Sequence, residues 1–299
     1  MKNLKIKNNK IFYVSSGTLG DAFIVFCKLE NFIKNNHGVQ VYLEWHSIHK
    51  NMLILVENFF KIVEPTIIVD TVLQKSKKDV NEAVFSNKKK LPINTNSNGY
   101  VYEDGIKYSD PICLKMNPFP LKKFKKKFIK NQKIKIGFQV HTGKNGYNKK
   151  IISPQWIKET INGLDRNIYE VILYGNDNVL EENKIFKNLK VINLINKLSF
   201  KDWMKNIKKL DFLVTPEGFS AFWAMSNKVT TLMFYNDDSI IERLHKTWIK
   251  NNIIIYSKNE KLIYKIIRKL RRIFYISDYN VASLKPFQAR SIIKNLFNT

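Results

Sequence analysis

The sequence predicts an α/β chain built from two doubly wound units, on three observations. Short apolar runs rich in Ile, Val, Tyr and Phe alternate with stretches of helical spacing. Glycine-bearing turns follow three of those runs, at Ser15–Asp21, His141–Gly146 and Thr215–Ser220. The pattern begins near Ile11 and restarts near Ile134, after a stretch broken by Pro111, Pro118 and Pro120 and ending in the basic run Lys122–Lys130. A length of 299 residues suits one large domain or two ordinary ones, and 44% hydrophobic with 13% aromatic residues supplies a core that a disordered chain lacks.

The first unit opens with a strand at Ile11–Val14, where β-branched and aromatic residues run together. The turn Ser15–Asp21 leads into a helix over Ala22–Lys34 that stops at His37-Gly38. Strands follow at Val39–Leu43 and Thr66–Asp70. Residues 71–130 carry no clear period. Gln74–Lys90 is polar, Leu91–Tyr100 is rich in Asn and Ser, and the unit boundary is expected at residue 130.

The second unit repeats the pattern with stronger punctuation. A strand at Ile134–Val140 and a glycine turn precede Ser153-Pro154, a cap followed by a proline suited to the first helical position, and then a helix over Gln155–Leu164. Strands at Tyr169–Tyr174, Lys190–Asn193, Asp211–Val214, Val229–Phe234 and Ile253–Tyr256 alternate with helices at Val179–Phe186, Phe200–Lys208 (capped by Ser199) and Phe219–Ser226. Two helices close the chain, Glu260–Phe274 and Pro286–Phe297.

Charge is the feature that first suggests a polyanionic partner. Lys+Arg is 51 against 25 Asp+Glu, a formal charge of +26. Yet 45 of the 51 are Lys and 6 are Arg, while Asn (34) and Ile (38) are also abundant, a pattern of A/T-rich codons. The excess is even, with 22 basic and 11 acidic residues in 1–130 and 29 and 14 in 131–299. Base readout favours Arg, so a dedicated nucleic-acid role is disfavoured. Cys27 and Cys113 are too few for a disulfide scaffold, no apolar run is long enough to span a membrane, and the N-terminus does not read as a signal peptide, so a cytoplasmic protein is expected. One segment, Lys261–Ile273, joins an apolar stripe to a basic face with three of the six Arg. It reads as a helix packed on the second unit or as one docked on anionic lipid.

In a doubly wound sheet, ligands bind at the carboxyl ends of the strands, where the three turns lie. In the first, Gly17 and Gly20 allow close backbone approach, and Asp21 is either a helix-start carboxylate or a general base. The second, with Thr142, Gly143 and the following Lys149 and Lys150, suits a phosphate, although in so Lys-rich a chain it also reads as an ordinary surface loop. In the third, Glu217 and Gly218 open a helix and could take a phosphate or a sugar hydroxyl, or Glu217 could complement the helix dipole. No metal-ligand motif is present. His37, His46, His49 and His245 are scattered and read as surface or packing residues.

Together the turns resemble glycosyltransferase family 9, the lipopolysaccharide heptosyltransferase-like group. The resemblance rests on Val14-Ser15-Ser16-Gly17-Thr18-Leu19-Gly20-Asp21 and on residues 134–235, from IGFQVHTG through SPQW and VILYGN to VTPEGFSAFWAMSNKVTTLMF. It implies the GT-B fold, two Rossmann-like domains facing across a cleft. Residues 1–130 would be the acceptor side and 131–299 the nucleotide-sugar-binding side, with the last helix a candidate to pack back on the first domain. It implies Asp21 as catalytic base, Lys149 facing the donor phosphates, Thr142 and Gly143 in the donor-phosphate loop, and Glu217 and Gly218 in the donor-binding turn. Where the family has a histidine three residues past this glycine the chain has Ala221, and where it has an aspartate the chain has Pro216.

The implied activity is inverting transfer of a sugar, heptose being the family's best-known one, from a nucleotide sugar to a cell-surface glycan or glycolipid. No metal or other cofactor is required, and the protein would sit in the cytoplasm or at the inner face of its membrane. A GT-B-like binding protein without catalysis is the alternative, with a basic nucleic-acid binder behind it.

Overall fold

The computed structural model describes residues 10–15, 18–20, 22–23, 26–27, 40–63, 67–80, 82–83, 93–95, 101–103, 132–142, 150–175, 184–235, 244, 248–249, 252–255 and 284–298. Of these, 10–15, 40–42, 93–95, 101–103, 141–142 and 150–151 are described in backbone only. The chain divides into two compact units, Met1–Asn117 and Pro118–Thr299. The expected division at residue 130 falls in a segment, 104–131, outside the described residues.

The first unit carries a parallel sheet of β1 (Lys10–Ser15), β2 (Gln40–Ser47) and β3 (Ile67–Leu73), in the order β1-β2-β3. A short antiparallel pair, β4 (Ile93–Thr95) and β5 (Val101–Glu103), lies in the stretch where no period was legible. Helix α1 (Lys50–Val63), also absent from the sequence reading, buries Leu53, Val56, Phe59 and Phe60. Those residues recur at spacings of three and four, which place them on one helical face. Phe59 meets Phe23 at 5.9 Å and Phe26 at 6.0 Å, edge-on, and lies 5.4 Å from Phe60, so α1 and the residue 19–27 segment share an aromatic core.

The Ser15–Asp21 turn is shorter than expected. Backbone is already helical at Leu19 and Gly20, and the Ala22 N–H donates to the Thr18 carbonyl over 3.0 Å. Gly20 therefore belongs to the first helical turn, because Thr18 can already supply the first carbonyl of the i to i−4 ladder. Of the expected helix over Ala22–Lys34, residues 22–23 and 26–27 are helical, and the others lie outside the described residues.

The second unit is a six-stranded parallel sheet: β6 (Ile134–Gln139), β9 (Tyr169–Tyr174), β10 (Ile192–Asn193), β11 (Phe212–Pro216), β12 (Thr230–Phe234) and β13 (Ile253–Ile255). Their order across the sheet is β10-β9-β6-β11-β12-β13. Numbered within the unit, that is 3-2-1-4-5-6, the doubly wound order of dinucleotide-binding folds, with its switch point between β6 and β11. The central strands are apolar without alternation because both faces are covered, and β11 is buried at every position. A two-residue antiparallel pair, β7 (His141–Thr142) with β8 (Lys150–Ile151), extends from the end of β6.

Helix α2 (Pro154–Asn162) begins as the sequence predicts, with Pro at its start and Ser153 Oγ accepting from the Trp156 N–H at 3.4 Å. Helix α3 (Phe200–Ile207) is capped by Ser199, whose Oγ accepts from the Asp202 N–H at 3.1 Å and donates to its carboxylate at 2.6 Å. Helices α4 (Phe219–Ser226) and α5 (Pro286–Phe297) match their expected bounds. Ala289, Ile293 and Phe297 of α5 sit in the second unit's core, and Arg290 Nη1 donates to the Glu159 carbonyl of α2 at 2.8 Å. The segment Lys261–Ile273 and residues 176–183, most of the expected helix at Val179–Phe186, lie outside the described residues.

Candidate functional site

The carboxyl edge of the second unit's sheet is built around the switch point. β6 ends in Gln139, 3% exposed, and β11 ends in Thr215-Pro216, followed by Glu217 at 8% and Gly218. β6 and β11 pair only as far as Phe138–Val214. On the other side β11 continues, and the Glu217 N–H donates to the Phe234 carbonyl of β12 at 2.9 Å. Since donors alternate sides along a strand, the next one directed at β6 falls to residue 216, and proline has none. The two strands therefore part at this point, opening the crevice in which such folds hold ligands.

The walls of that crevice are fixed by buried polar contacts. The Trp203 indole N–H on α3 donates to Gln139 Oε1 at 3.2 Å, and the Trp223 indole N–H on α4 donates to the Met204 carbonyl at 2.9 Å. Phe219, the first residue of α4, packs against Trp203 at 5.7 Å and Phe200 at 5.6 Å. Tyr174, the register partner of Gln139 on β9, is fully buried, and its hydroxyl has no partner among the described residues. Burial, with a smaller push from the Glu170 charge, raises its pKa well above the ordinary 10.0, so the phenol stays neutral.

Gly218 holds φ 147° and ψ −165°, a region open to glycine alone, and α4 starts behind it with no side chain capping its first N–H groups. That conformation requires Gly at this position. Thr142 stands opposite Lys150 in the β7–β8 pair, and β7 runs against β11. The second and third turns of the sequence reading, carrying Thr142 and Glu217-Gly218, thus meet at one crevice. Gly143 and Lys149 belong to the loop between β7 and β8, outside the described residues. Ala221 is fully buried within α4, packed as a core residue.

In the first unit, Gly20 is buried at the helix start, while Gly17 and Asp21 lie outside the described residues. Two features there were missed in the sequence. β2 runs four residues past its expected end, through Glu44-Trp45-His46-Ser47. His46, 5% exposed, is bonded by its Nε2 to Glu44 Oε1, and Gln74 Nε2 lies 2.9 Å from its Nδ1. The extended strand was legible only as alternation, Leu43 and Trp45 buried on one face with Glu44 and His46 on the other. Among the described residues, no group of three or more His, Cys, Asp or Glu could hold a metal ion, and no helix is long and apolar enough to cross a membrane.

No protein-family model matches the chain, and no curated protein matches its sequence. Solved structures match it over nearly its full length. A glycosyl transferase family 9 protein from Veillonella parvula superposes with a TM-score of 0.62 at 11% identity, covering 99% of both chains. The ADP-heptose lipopolysaccharide heptosyltransferase II of E. coli gives 0.57 at 11% identity, covering 97% of this chain and 98% of its own. The E. coli heptosyltransferase WaaC, solved with ADP, gives 0.56 at 10% identity, covering 96% and 97%. The chain therefore has the GT-B fold that its resemblance to family 9 implies, and the likeness is one of fold.

Proposed function

We propose that this protein is an inverting glycosyltransferase that moves a sugar from a nucleotide-sugar donor to a hydroxyl of a cell-surface glycan or glycolipid. The observation that carries this reading is the convergence of Thr142 and Glu217-Gly218 on the switch point of a 3-2-1-4-5-6 sheet. A diphosphate would lie near the start of α4, with Thr142, Gly143 and Lys149 neutralising the charge that develops on the leaving group, without a metal or other cofactor. Glu217 would accept a hydrogen bond from a donor hydroxyl. Asp21 would take the proton of the acceptor hydroxyl as its oxygen attacks the anomeric carbon, and the nucleoside diphosphate leaves with the bonding electrons. Because structures of like fold were solved with ADP or ADP-2-deoxy-2-fluoro heptose, an ADP-sugar is the first donor to test and heptose the first sugar; the inner face of the cytoplasmic membrane is the proposed site of action.

Thermal denaturation in the presence of ADP, ADP-heptose and a panel of other nucleotide sugars tests the donor site. A donor at about 100 times its Kd stabilises the fold by about 2.7 kcal/mol, and no stabilisation by any of them contradicts the reading. A second reading, a GT-B binding protein without turnover, is favoured by the buried Ala221 where family members carry histidine. Donor binding with no release of nucleoside diphosphate in the presence of acceptors would select it.

A further inference from the structure

Helix α5 buries Ala289, Ile293 and Phe297 and carries Phe287, Arg290 and Lys294 on the neighbouring flank, at spacings of three and four residues. Phe287 is 54% exposed, the one exposed aromatic ring among the residues whose side chains are described. A lone exposed apolar side chain is ordinary, but this one edges a cleft among unpaired cations. The cleft, about 410 Å3, lies between α5 and α2 and is lined by Glu159, Asn162, Lys285, Pro286, Phe287 and Arg290. The Arg290 side chain lies across Gly163, where a Cβ would collide with its Cδ and Nε, and its Nη1 donates to the Glu159 carbonyl at 2.8 Å. The guanidinium is thus held by backbone, with no carboxylate on it. Among the described residues, none of Lys285, Arg290 and Lys294 makes an ion pair. Glu159, the one acid lining the cleft, accepts from Gln155 Nε2 at 2.9 Å, one turn back along its own helix. The flank also has a defined place in the unit. The Trp156 indole N–H donates to the Leu284 carbonyl at 2.8 Å, and the Trp156 ring meets Phe234, the last residue of β12, at 5.5 Å. The start of α5 is therefore level with the carboxyl ends of the strands, the end of the unit at which the switch-point crevice opens.

We infer that this flank of α5 docks on an anionic lipid surface, with Phe287 entering the acyl boundary and Lys285, Arg290 and Lys294 meeting headgroup phosphates. An exposed ring beside unpaired cations is the chemistry of a membrane interface, where apolar contact and charge attraction act together. A nucleic-acid duplex or a free phosphate would use the cations and leave the ring in water. The choice of lipid rests on the proposed transfer to a glycolipid, and the surface itself rests on the residues above. Docked in this way, the second unit brings the carboxyl end of its sheet to the layer that holds a lipid-borne acceptor.

The test is sedimentation of the full chain with vesicles of phosphatidylcholine alone and of equal parts phosphatidylcholine and phosphatidylglycerol, at about 0.15 M salt, where distant charges are screened. Binding is expected to the anionic vesicles and not to the neutral ones. Lys285→Gln with Lys294→Gln should weaken it about 25-fold, about fivefold for each basic residue. Phe287→Ser leaves the charge unchanged and should weaken it about tenfold, with the thermal midpoint of the unbound protein unmoved because the ring is exposed. Lys187→Gln with Lys190→Gln removes the same charge from exposed positions elsewhere in the unit and should weaken binding by at most about twofold. No binding to anionic vesicles, binding that Phe287→Ser leaves intact, or equal weakening by the two lysine pairs overturns the inference. A DNA duplex that binds more tightly than the vesicles and loses affinity in Phe287→Ser overturns it as well, since the partner is then a nucleic acid. Stabilisation by ADP, read in parallel, keeps the outcomes separate. ADP binding without vesicle binding removes this surface alone, and Phe287-dependent vesicle binding without any nucleotide binding removes the transferase reading alone.

Discussion

The Trp203 indole N–H donates to Gln139 Oε1 over 3.2 Å, tying helix α3 to the last residue of β6 at the switch point. Trp203 is 9% exposed and Gln139 is 3% exposed, so the bond is shielded from water and positions the wall of the crevice at the switch point. Trp203→Phe keeps most of the aromatic packing and removes the donor. Denaturant unfolding should show a loss of about 1–2 kcal/mol, and stabilisation by ADP should shrink with it. An unchanged midpoint would mean that the contact contributes nothing to the wall.

Gly218 allows a second substitution test. At φ 147° and ψ −165°, a Cβ strains the backbone, and Gly218→Ala is expected to cost about 1–3 kcal/mol. Because the strain falls on the residue that opens α4, the affinity for ADP should drop by more than the stability loss accounts for. Isothermal titration of the folded variant separates the two effects.

Tyr174 gives a pH dependence. Its folded pKa is raised above the ordinary 10.0, first by burial and then by the charge of Glu170. The sign follows from linkage. The stability associated with the neutral phenol is fully present below pH 10 and is lost as pH rises above it, because the unfolded chain gives up that proton first. Tyr174→Phe removes a buried hydroxyl without a partner among the described residues, so stability at neutral pH should be unchanged or higher by up to about 1 kcal/mol. The variant should also lose less stability between pH 10 and 12 than the wild type, as chemical denaturation across that range would show.

Most of the second unit was legible because its signals are local and agree with one another. The strand Tyr169–Tyr174 and the helices Phe219–Ser226 and Pro286–Phe297 have their expected bounds, and Ser153 and Ser199 cap where their spacing placed them. The strand order was not legible, since it depends on long-range pairing that no local spacing encodes. In the first unit, α1 escaped notice because its apolar residues sit close to strand-like runs, and β2 seemed to end at Leu43 because Glu44, His46 and Ser47 are polar. Glu44 and His46 are on the face opposite Leu43 and Trp45, so the feature that hid the strand is the Glu44–His46 contact itself. At the switch-point crevice the turns were found in sequence, but Gln139 and Trp203 were not, because their bond spans 64 positions.

Sugar transfer with Asp21 as base is tested by release of nucleoside diphosphate from ADP-heptose and other nucleotide sugars in the presence of glycolipid acceptors. The wild type is expected to release it only with an acceptor present. Asp21→Asn should reduce turnover by at least about a hundredfold, the scale of general-base catalysis, while ADP still stabilises the variant as it does the wild type. Turnover in Asp21→Asn equal to that of the wild type would contradict the assignment of the base. The absence of any acceptor-dependent release from the wild type, across all donors, would contradict the transferase itself.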